Sequence, residues 1–240
     1  MKYAIIAAGE GSRLAQEGIK SPKPLVEVGG EKLIDRLIRI FMDNDADEII
    51  VICNDIYKEV GKHLKDIQQN GLNGNEVPLT IVVKTTPSSM HSFHEISRYL
   101  KHGPFCMTTV DTIFDEGEFK SYISAFAQEA EAGNADAMMG VTDYIDDEKP
   151  LYVATAEDMT ITAFLDESDS CRYISGGIYG LTPSAIITLD KCMAEKQSRM
   201  RNFQRALIAD GRKAKAYAFS KVLDIDHAED IAKAEAFLNK

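Results

Sequence analysis

The sequence predicts an α/β fold, a doubly wound and mostly parallel sheet with helices on both faces and a small antiparallel lobe. Three observations predict it. From Tyr3 to Thr142 short apolar runs alternate with amphipathic stretches, the rhythm of repeated β-α-β units. Runs such as EIIVIC (Glu48–Cys53) are apolar without alternation, as in strands covered on both faces. From Leu151 the strand signals crowd together, which marks the antiparallel lobe.

Tyr3–Ala8 is the first strand and ends in Gly9-Glu10-Gly11-Ser12-Arg13. Val26–Val28 is a short strand before the Gly29-Gly30 turn. In EKLIDRLIRIFMDN, Leu33, Ile34, Leu37, Ile38 and Phe41 recur at helical spacing. The strand Glu48–Cys53 follows, then a helix from about Ile56 to Gln69, a polar turn and the strand Leu79–Lys84. SSMHSFHEISRYL reads as a helix, Phe105–Val110 as a strand, Glu118–Ala132 as a helix and Asp136–Thr142 as a strand. LYVATAEDMTITAFLD predicts a hairpin turning at Glu157-Asp158, and YISGGIYGL another strand. Helices near Pro183–Met193 and Asn202–Asp210, the strand AKAYAF and a helix from His227 complete the pattern. No repeat or linker interrupts it, so one domain over 1–240 is expected, with the antiparallel insertion at about 145–182.

Composition narrows the function classes. Thirty-eight acidic and 27 basic residues give a net charge of −11, and no Lys/Arg-rich block stands out, against a nucleic-acid surface. A small anionic ligand would need a few local cations. The four cysteines are far apart with no C-x-x-C pair, which predicts buried reduced thiols rather than a metal site or disulfides. The first strand is too short for a signal sequence, and no apolar stretch reaches membrane-spanning length. A cytoplasmic protein without a membrane partner is expected, and a homo-oligomer is left open.

The loop after the first strand stands where open α/β sheets bind ligands. It is not G-x-x-x-x-G-K-[ST], and Leu14 stands three residues after Gly11 where a dinucleotide fingerprint needs glycine. What remains is A-A-G-x-G-S-R-L followed by SPKPL (Ser21–Leu25). Glycines let backbone amides approach phosphate oxygens, Arg13 can fork onto a phosphate, and Lys23 between two prolines adds a point charge. A plain turn explains a G-x-G pair on its own; the longer combination is more specific.

That combination resembles the N-terminal signature of the sugar-phosphate nucleotidylyltransferases, the NDP-sugar pyrophosphorylases, whose sheet is Rossmann-like. The resemblance implies that Ala8, Gly9, Gly11 and Ser12 wrap the triphosphate of an NTP, and that Arg13 and Lys23 neutralise the leaving pyrophosphate. It also implies Mg²⁺, which favours one or two carboxylates plus phosphate oxygens. Asp111 in FCMTTVDTIFD resembles the family's L-x-G-D segment, with valine in place of glycine. Asp224 and Asp226 in KVLDIDHAEDIAKA resemble D-I-D-T-x-E-D-L, in which the second aspartate binds metal. Asp111 and Asp226 are therefore the expected metal ligands, with Asp224 and His227 behind them. Asp111 as a turn residue, and Asp226 as a helix cap with Glu229 in the box position, stay open. His91 and His94, three apart on a predicted helix, have no third metal ligand in view.

YISGGIYGL resembles the strand whose glycines lie against the sugar, so Gly176 and Gly177 would contact the acceptor; a bulge is the other reading of the pair. Two stretches depart from the family. The base-binding P-x-G-T-A run is replaced by TTPSSMHSF, leaving Ser88, Ser89 and Met90 there. The E-K-P lysine that grips the sugar phosphate is missing from FLDESDSCR, where Arg172 is the nearest candidate cation. Asp166, Glu167 and Asp169 near Tyr173 or Tyr179 would instead suit a cationic acceptor, unless they form an exposed loop tip. The leading expectation is transfer of NMP from an NTP to a sugar 1-phosphate. A cytidylyltransferase for phosphocholine or another alcohol phosphate is the nearest rival. A non-catalytic nucleotide-sugar sensor, or a glycosyltransferase using Asp224-Ile225-Asp226 as D-x-D, belongs to a different class.

Overall fold

The structure is a computed structural model in which residues 1–146 and 148–239 are described. β1 (Lys2–Ala7) leads through the short α1 (Ser12–Gln16) and a 3-10 turn at Lys23–Leu25 to a two-residue hairpin, β2 (Glu27–Val28) and β3 (Glu31–Lys32). Then follow α2 (Leu33–Met42), β4 (Glu48–Cys53), α3 (Lys58–Asn70), β5 (Leu79–Val83), α4 (Ser89–Ser97) and β6 (Phe105–Thr109). The next elements are β7 (Thr112–Phe114), α5 (Glu116–Glu131), β8 (Ala137–Thr142), β9 (Tyr152–Thr155), β10 (Ile161–Leu165) and β11 (Tyr173–Leu181). The chain closes with α6 (Pro183–Ala194), α7 (Met200–Ala209), β12 (Ala214–Phe219), β13 (Val222–Asp224) and α8 (Ala228–Leu238).

In the main sheet β5, β4, β1 and β6 lie side by side and parallel, and β11 runs antiparallel beside β6. The chain winds outward from β1 through β4 to β5, then returns to the other side of β1 as β6. The order reverses between β1 and β6, and the crevice beyond the carboxyl ends of these strands is the natural ligand site of such a sheet. β11 also pairs with β8, which carries β12 in parallel, and its start pairs with β9 of the β9–β10 hairpin. The antiparallel lobe is thus continuous with the main sheet through β11; residue 147 within its range lies outside the described residues.

Every residue of β1 from Tyr3 to Ala7 is buried, and the alternation of a strand sends them to two different cores. Tyr3 and Ile5 face α2, α3 and α5, where Tyr3 stacks on Phe41 at 4.5 Å between ring centroids. Ala4 and Ile6 face α4, α6 and α7, where Phe93 meets Phe203 edge-on. Each fully buried aromatic of this kind contributes roughly 1.5–3 kcal/mol. These two layers make the frame on which the strand ends are held. No described helix is long and apolar enough to cross a membrane.

Several boundaries differ from expectation for local reasons. The strand expected at Val26–Val28 is shortened to Glu27–Val28: the Val26 carbonyl still accepts the Leu33 amide, but Leu33 already begins α2, so the ladder ends there. The last helix is capped at His227, not Asp226, and the Asp230 carboxylate, not Glu229, accepts the amides of both Asp226 and His227. β7 and β13 were not expected. They pair as a two-stranded antiparallel ribbon, and the Ile225 amide extends it by donating to the Asp111 carbonyl at 3.1 Å.

Candidate functional site

The loop after β1 turns sharply at Gly11, which has φ +62°. A Cβ there would stand 3.0 Å from the Cβ of Lys23, so both the backbone conformation and the close approach require glycine. Lys23 begins the 3-10 turn between Pro22 and the buried Pro24, which fix its backbone. The chain therefore presents the lysine directly against the loop.

From there the Lys23 ammonium reaches two aspartates, the Asp111 carboxylate at 2.7 Å and the Asp226 carboxylate at 2.6 Å. Arg13 donates to the other oxygen of Asp226 at 3.0 Å. The lysine side chain is only 11% exposed, so this is a desolvated pair rather than a surface one. Burial opposes the lysine's charge, yet Asp111 and Asp226 hold its pKa above the ordinary value. Burial likewise pushes the Asp111 carboxyl up, but the lysine and its hydrogen bonds outweigh that and hold it below the usual carboxylate range. The unexpected ribbon explains the meeting, since it ties residue 111 to residue 225 and leaves Asp226 at its open end.

Two cavities meet near this centre. One, of about 350 Å³, is lined by Ala8, Gly9, Gly11, Lys23 and Asp111, and by hydroxyls that include Ser88 and Ser89. The other, of about 460 Å³, is lined by Arg13, Asp226, Gly176 and the face of α8 that carries Lys233. Among the described residues its wall holds seven carboxylates against two permanent cations, Arg13 and Lys233. Ser12 begins α1 and lines neither cavity. In the hydroxyl-lined cavity Ser88 hydrogen-bonds His91 and accepts the Arg199 amide.

Other expected residues stand elsewhere. Gly177, at φ +71°, forms the β11 bulge with Gly176, and a Cβ on it would strike the Thr109 and Thr112 hydroxyls. Its glycine is demanded by packing, and the bulge reading of the pair holds. Arg172 pairs with Asp143 at 3.0 Å, lies over the Tyr173 ring and stands outside both cavities. Asp166 is held by Arg201 and Arg205, and with Glu167 and Asp169 it lines a separate open surface depression. Tyr179 is a core residue. The aromatic that does line the acidic cavity is Tyr144. Met90 is fully buried, and His94 faces Asp190. His227 does not reach the aspartate centre: its Nδ1 hydrogen-bonds Glu17 at 2.6 Å, and Glu17 also accepts the Ala228 amide. The four cysteines are free.

Sequence reasoning missed Tyr144, Asp146, Glu148 and Lys233, which line the acidic cavity from separate segments. It also missed Asn54 and Tyr57, which contact the glycine loop from behind. For that pair a signal existed, since both follow directly on the buried strand Glu48–Cys53 at its carboxyl end.

The fold and the crevice at its switch point define a ligand-binding, doubly wound α/β protein. The chain belongs to the nucleotidyl transferase family, whose model matches residues 2–240. A glucose-1-phosphate cytidylyltransferase of Salmonella typhimurium is 36% identical over 53 residues, 22% of this chain and 21% of that relative. The match thus spans about a fifth of the relative's length. Among solved structures, the inositol-1-phosphate CTP transferase of T. maritima aligns over 100% of this chain and 96% of its own, with a TM-score of 0.79 and 19% identity. The CTP:phosphocholine cytidylyltransferase of Streptococcus pneumoniae aligns over 99% and 98%, with a TM-score of 0.75 and 18% identity. At such identities the two structures speak for the fold.

Proposed function

We propose that the protein transfers a nucleotidyl group from an NTP to a small phosphorylated acceptor, a sugar 1-phosphate in the leading reading, with release of pyrophosphate. The observation that carries this is the Lys23 ammonium held between Asp111 and Asp226 at the edge of a glycine loop, with Arg13 beside it and a cavity on either side. The loop residues Ala8 to Gly11 and the hydroxyls of Ser88 and Ser89 receive the nucleotide, and the Gly176 side receives the acceptor. An acceptor phosphate oxygen attacks the α-phosphorus in line; the new P–O bond forms as the α–β anhydride bond breaks, and the electron pair leaves on pyrophosphate. No protein nucleophile is required. Arg13 and Lys23 neutralise the charge that builds on the leaving group, and holding both phosphates in register supplies the remainder.

The residues present fit a divalent ion. Asp111 and Asp226 already converge on one small cation, the ammonium, and both offer hard oxygen donors. No cluster of three ligating side chains exists among the described residues, which suits an ion that takes its remaining donors from phosphate and water. Asp111 and Asp226 would hold it, and when bound it supplies charge to the phosphate oxygens.

The carboxylate excess of the second cavity favours a second acceptor class, an alcohol phosphate that carries its own ammonium; the Tyr144 ring in its wall already has the Lys221 ammonium over it at 3.9 Å. A screen of the four NTPs against glucose 1-phosphate, inositol 1-phosphate and phosphocholine, with pyrophosphate detection and an EDTA control, tests the whole reading. Nucleotide binding without pyrophosphate release from any pair would overturn it in favour of a sensor.

A further inference from the structure

The glycine loop is held from the side away from its ligand crevice by two residues at the carboxyl end of β4. Asn54 is 3% exposed and every polar atom of its side chain is used. Its amide nitrogen donates to the carbonyls of Ala8 at 3.2 Å and Gly9 at 3.3 Å, and its oxygen accepts the Tyr57 amide at 3.1 Å. The orientation of the side-chain amide is unambiguous, because two carbonyls can only accept and a backbone N–H can only donate. The Tyr57 hydroxyl takes the next carbonyl along, that of Glu10, at 3.0 Å. Three consecutive loop carbonyls are thereby turned toward the β4 end.

A trans peptide is planar, so each N–H points opposite to the carbonyl of the residue before it. Fixing the carbonyls of residues 8, 9 and 10 therefore aims the amides of Gly9, Glu10 and Gly11 the other way. Among the described residues none of these three amides donates a hydrogen bond to the protein. Gly9, Glu10 and Gly11 all line the hydroxyl-lined cavity, next to Lys23. Successive backbone amides converging on one point make a concavity for an anion.

We propose that Asn54 and Tyr57 are positioning residues for nucleotide binding, which hold three loop amides preorganised for the triphosphate. This rests on the nucleotidyl-transfer reading and adds to it the source of the loop's rigidity. Neither residue touches substrate; both act through the peptide planes they hold.

Calorimetric titration of Mg-NTP, inorganic tripolyphosphate and the unphosphorylated nucleoside into wild type, Asn54→Ala, Asn54→Asp and Tyr57→Phe tests it. Triphosphate and tripolyphosphate affinity should fall about tenfold for Asn54→Ala and about threefold for Tyr57→Phe, the worth of one or two hydrogen bonds. Nucleoside affinity should stay within twofold of wild type. Asn54→Asp has the same shape but turns a carboxylate against two carbonyls, so it should lose at least as much triphosphate affinity as alanine. A residue that merely filled space would give the reverse order, aspartate near wild type and alanine worse, and would lower nucleoside and triphosphate affinity together. Equal triphosphate affinity in wild type and Tyr57→Phe, whose exposed hydroxyl is dispensable for folding, would also overturn the proposal while leaving the functional reading intact. Failure of wild type to bind any Mg-NTP would overturn that reading and this inference with it.

Discussion

The hydroxyl-lined cavity draws its wall from the ends of β1, β5 and β6 and from the start of α4, all in the first half of the chain. The acidic cavity draws its wall from α1 and Glu17, from Thr142, Tyr144, Asp146 and Glu148, from β11 and from the ribbon and helix at 222–233. The first is shaped by backbone, with glycines and short hydroxyl side chains around Lys23. The second is shaped by long charged side chains that pair with one another, Lys233 with Asp146, Glu229 and Asp230, and His227 with Glu17. A backbone-built pocket is rigid and reads a common feature such as phosphate. A pocket of side chains can be retuned one residue at a time, which is where, under the proposed function, a choice among acceptors belongs. Lys23, Asp111 and Asp226 sit at the seam.

The seam should break most severely. Lys23→Ala should lower turnover by about 10³-fold, as loss of a preorganised charge contact does in a water-poor site. Lys23→Gln offers a second readout that needs no substrate. In wild type the Asp111 carboxyl lies below its ordinary value. It therefore contributes stability that is present above the unfolded carboxylate pKa of about 3.9 and lost as pH falls through the folded value. Without the ammonium, burial alone would raise the carboxyl, and the variant should gain stability as pH falls. The Tm gap between wild type and Lys23→Gln should widen from about pH 4 to about pH 7. A gap that stays constant over that range would mean that Lys23 does not govern Asp111.

Arg13 belongs to the seam but is 51% exposed, so its loss should spare the fold. Arg13→Ala should lower turnover by about 10²-fold with Tm unchanged, and turnover within about threefold of wild type would remove it from the mechanism. Between the two aspartates of the ribbon end, Asp226→Asn should weaken apparent Mg²⁺ affinity on the order of tenfold, and Asp224→Asn less. A titration with the order reversed would move the metal site to Asp224, and full activity in EDTA would abolish it.

The acidic cavity should yield smaller and substrate-dependent effects. Glu148→Gln should raise KM for phosphocholine about threefold and leave KM for glucose 1-phosphate unchanged or lower, since a partly exposed charge is screened. An equal effect on both would mean that the charge excess does not select the acceptor. Arg172→Ala, outside both cavities, should change kcat/KM by less than about twofold with either acceptor.

The parallel half of the fold was legible because its central strands β1 and β4 are continuous apolar runs, and burial on both faces leaves little else that such a run can be. The glycine loop was legible for a related reason, since Gly11 must satisfy a local backbone conformation and a neighbour only twelve residues away. Asp111 and Asp226 were expected together as carboxylates, but the ribbon that joins them and the lysine between them were not. Neither three-residue strand of the ribbon has enough length to carry a period, so TIF and VLD read as loop on either side. The glycine pair at 176–177 looked like one ligand contact, yet only Gly176 reaches a cavity and Gly177 yields to the threonine hydroxyls. Arg172 looked like the missing cation because it was near in sequence, whereas Lys233 on the last helix lines the acidic cavity together with Arg13.

By itself the sequence determined the doubly wound class, the switch-point loop and the glycines and cations gathered near it, because periodicity, turn chemistry and neighbouring charges act over a few residues. Only the tertiary structure decided that Lys23 stands between Asp111 and Asp226, that Asn54 and Tyr57 hold the loop from behind, and that the wall of the second cavity is acidic. Those contacts of Lys23, Asn54 and Tyr57 join residues from 45 to 203 positions apart, Asn54 with Gly9 at one extreme and Lys23 with Asp226 at the other. Their distances are set by strand pairing and two packed cores, and no local pattern encodes them.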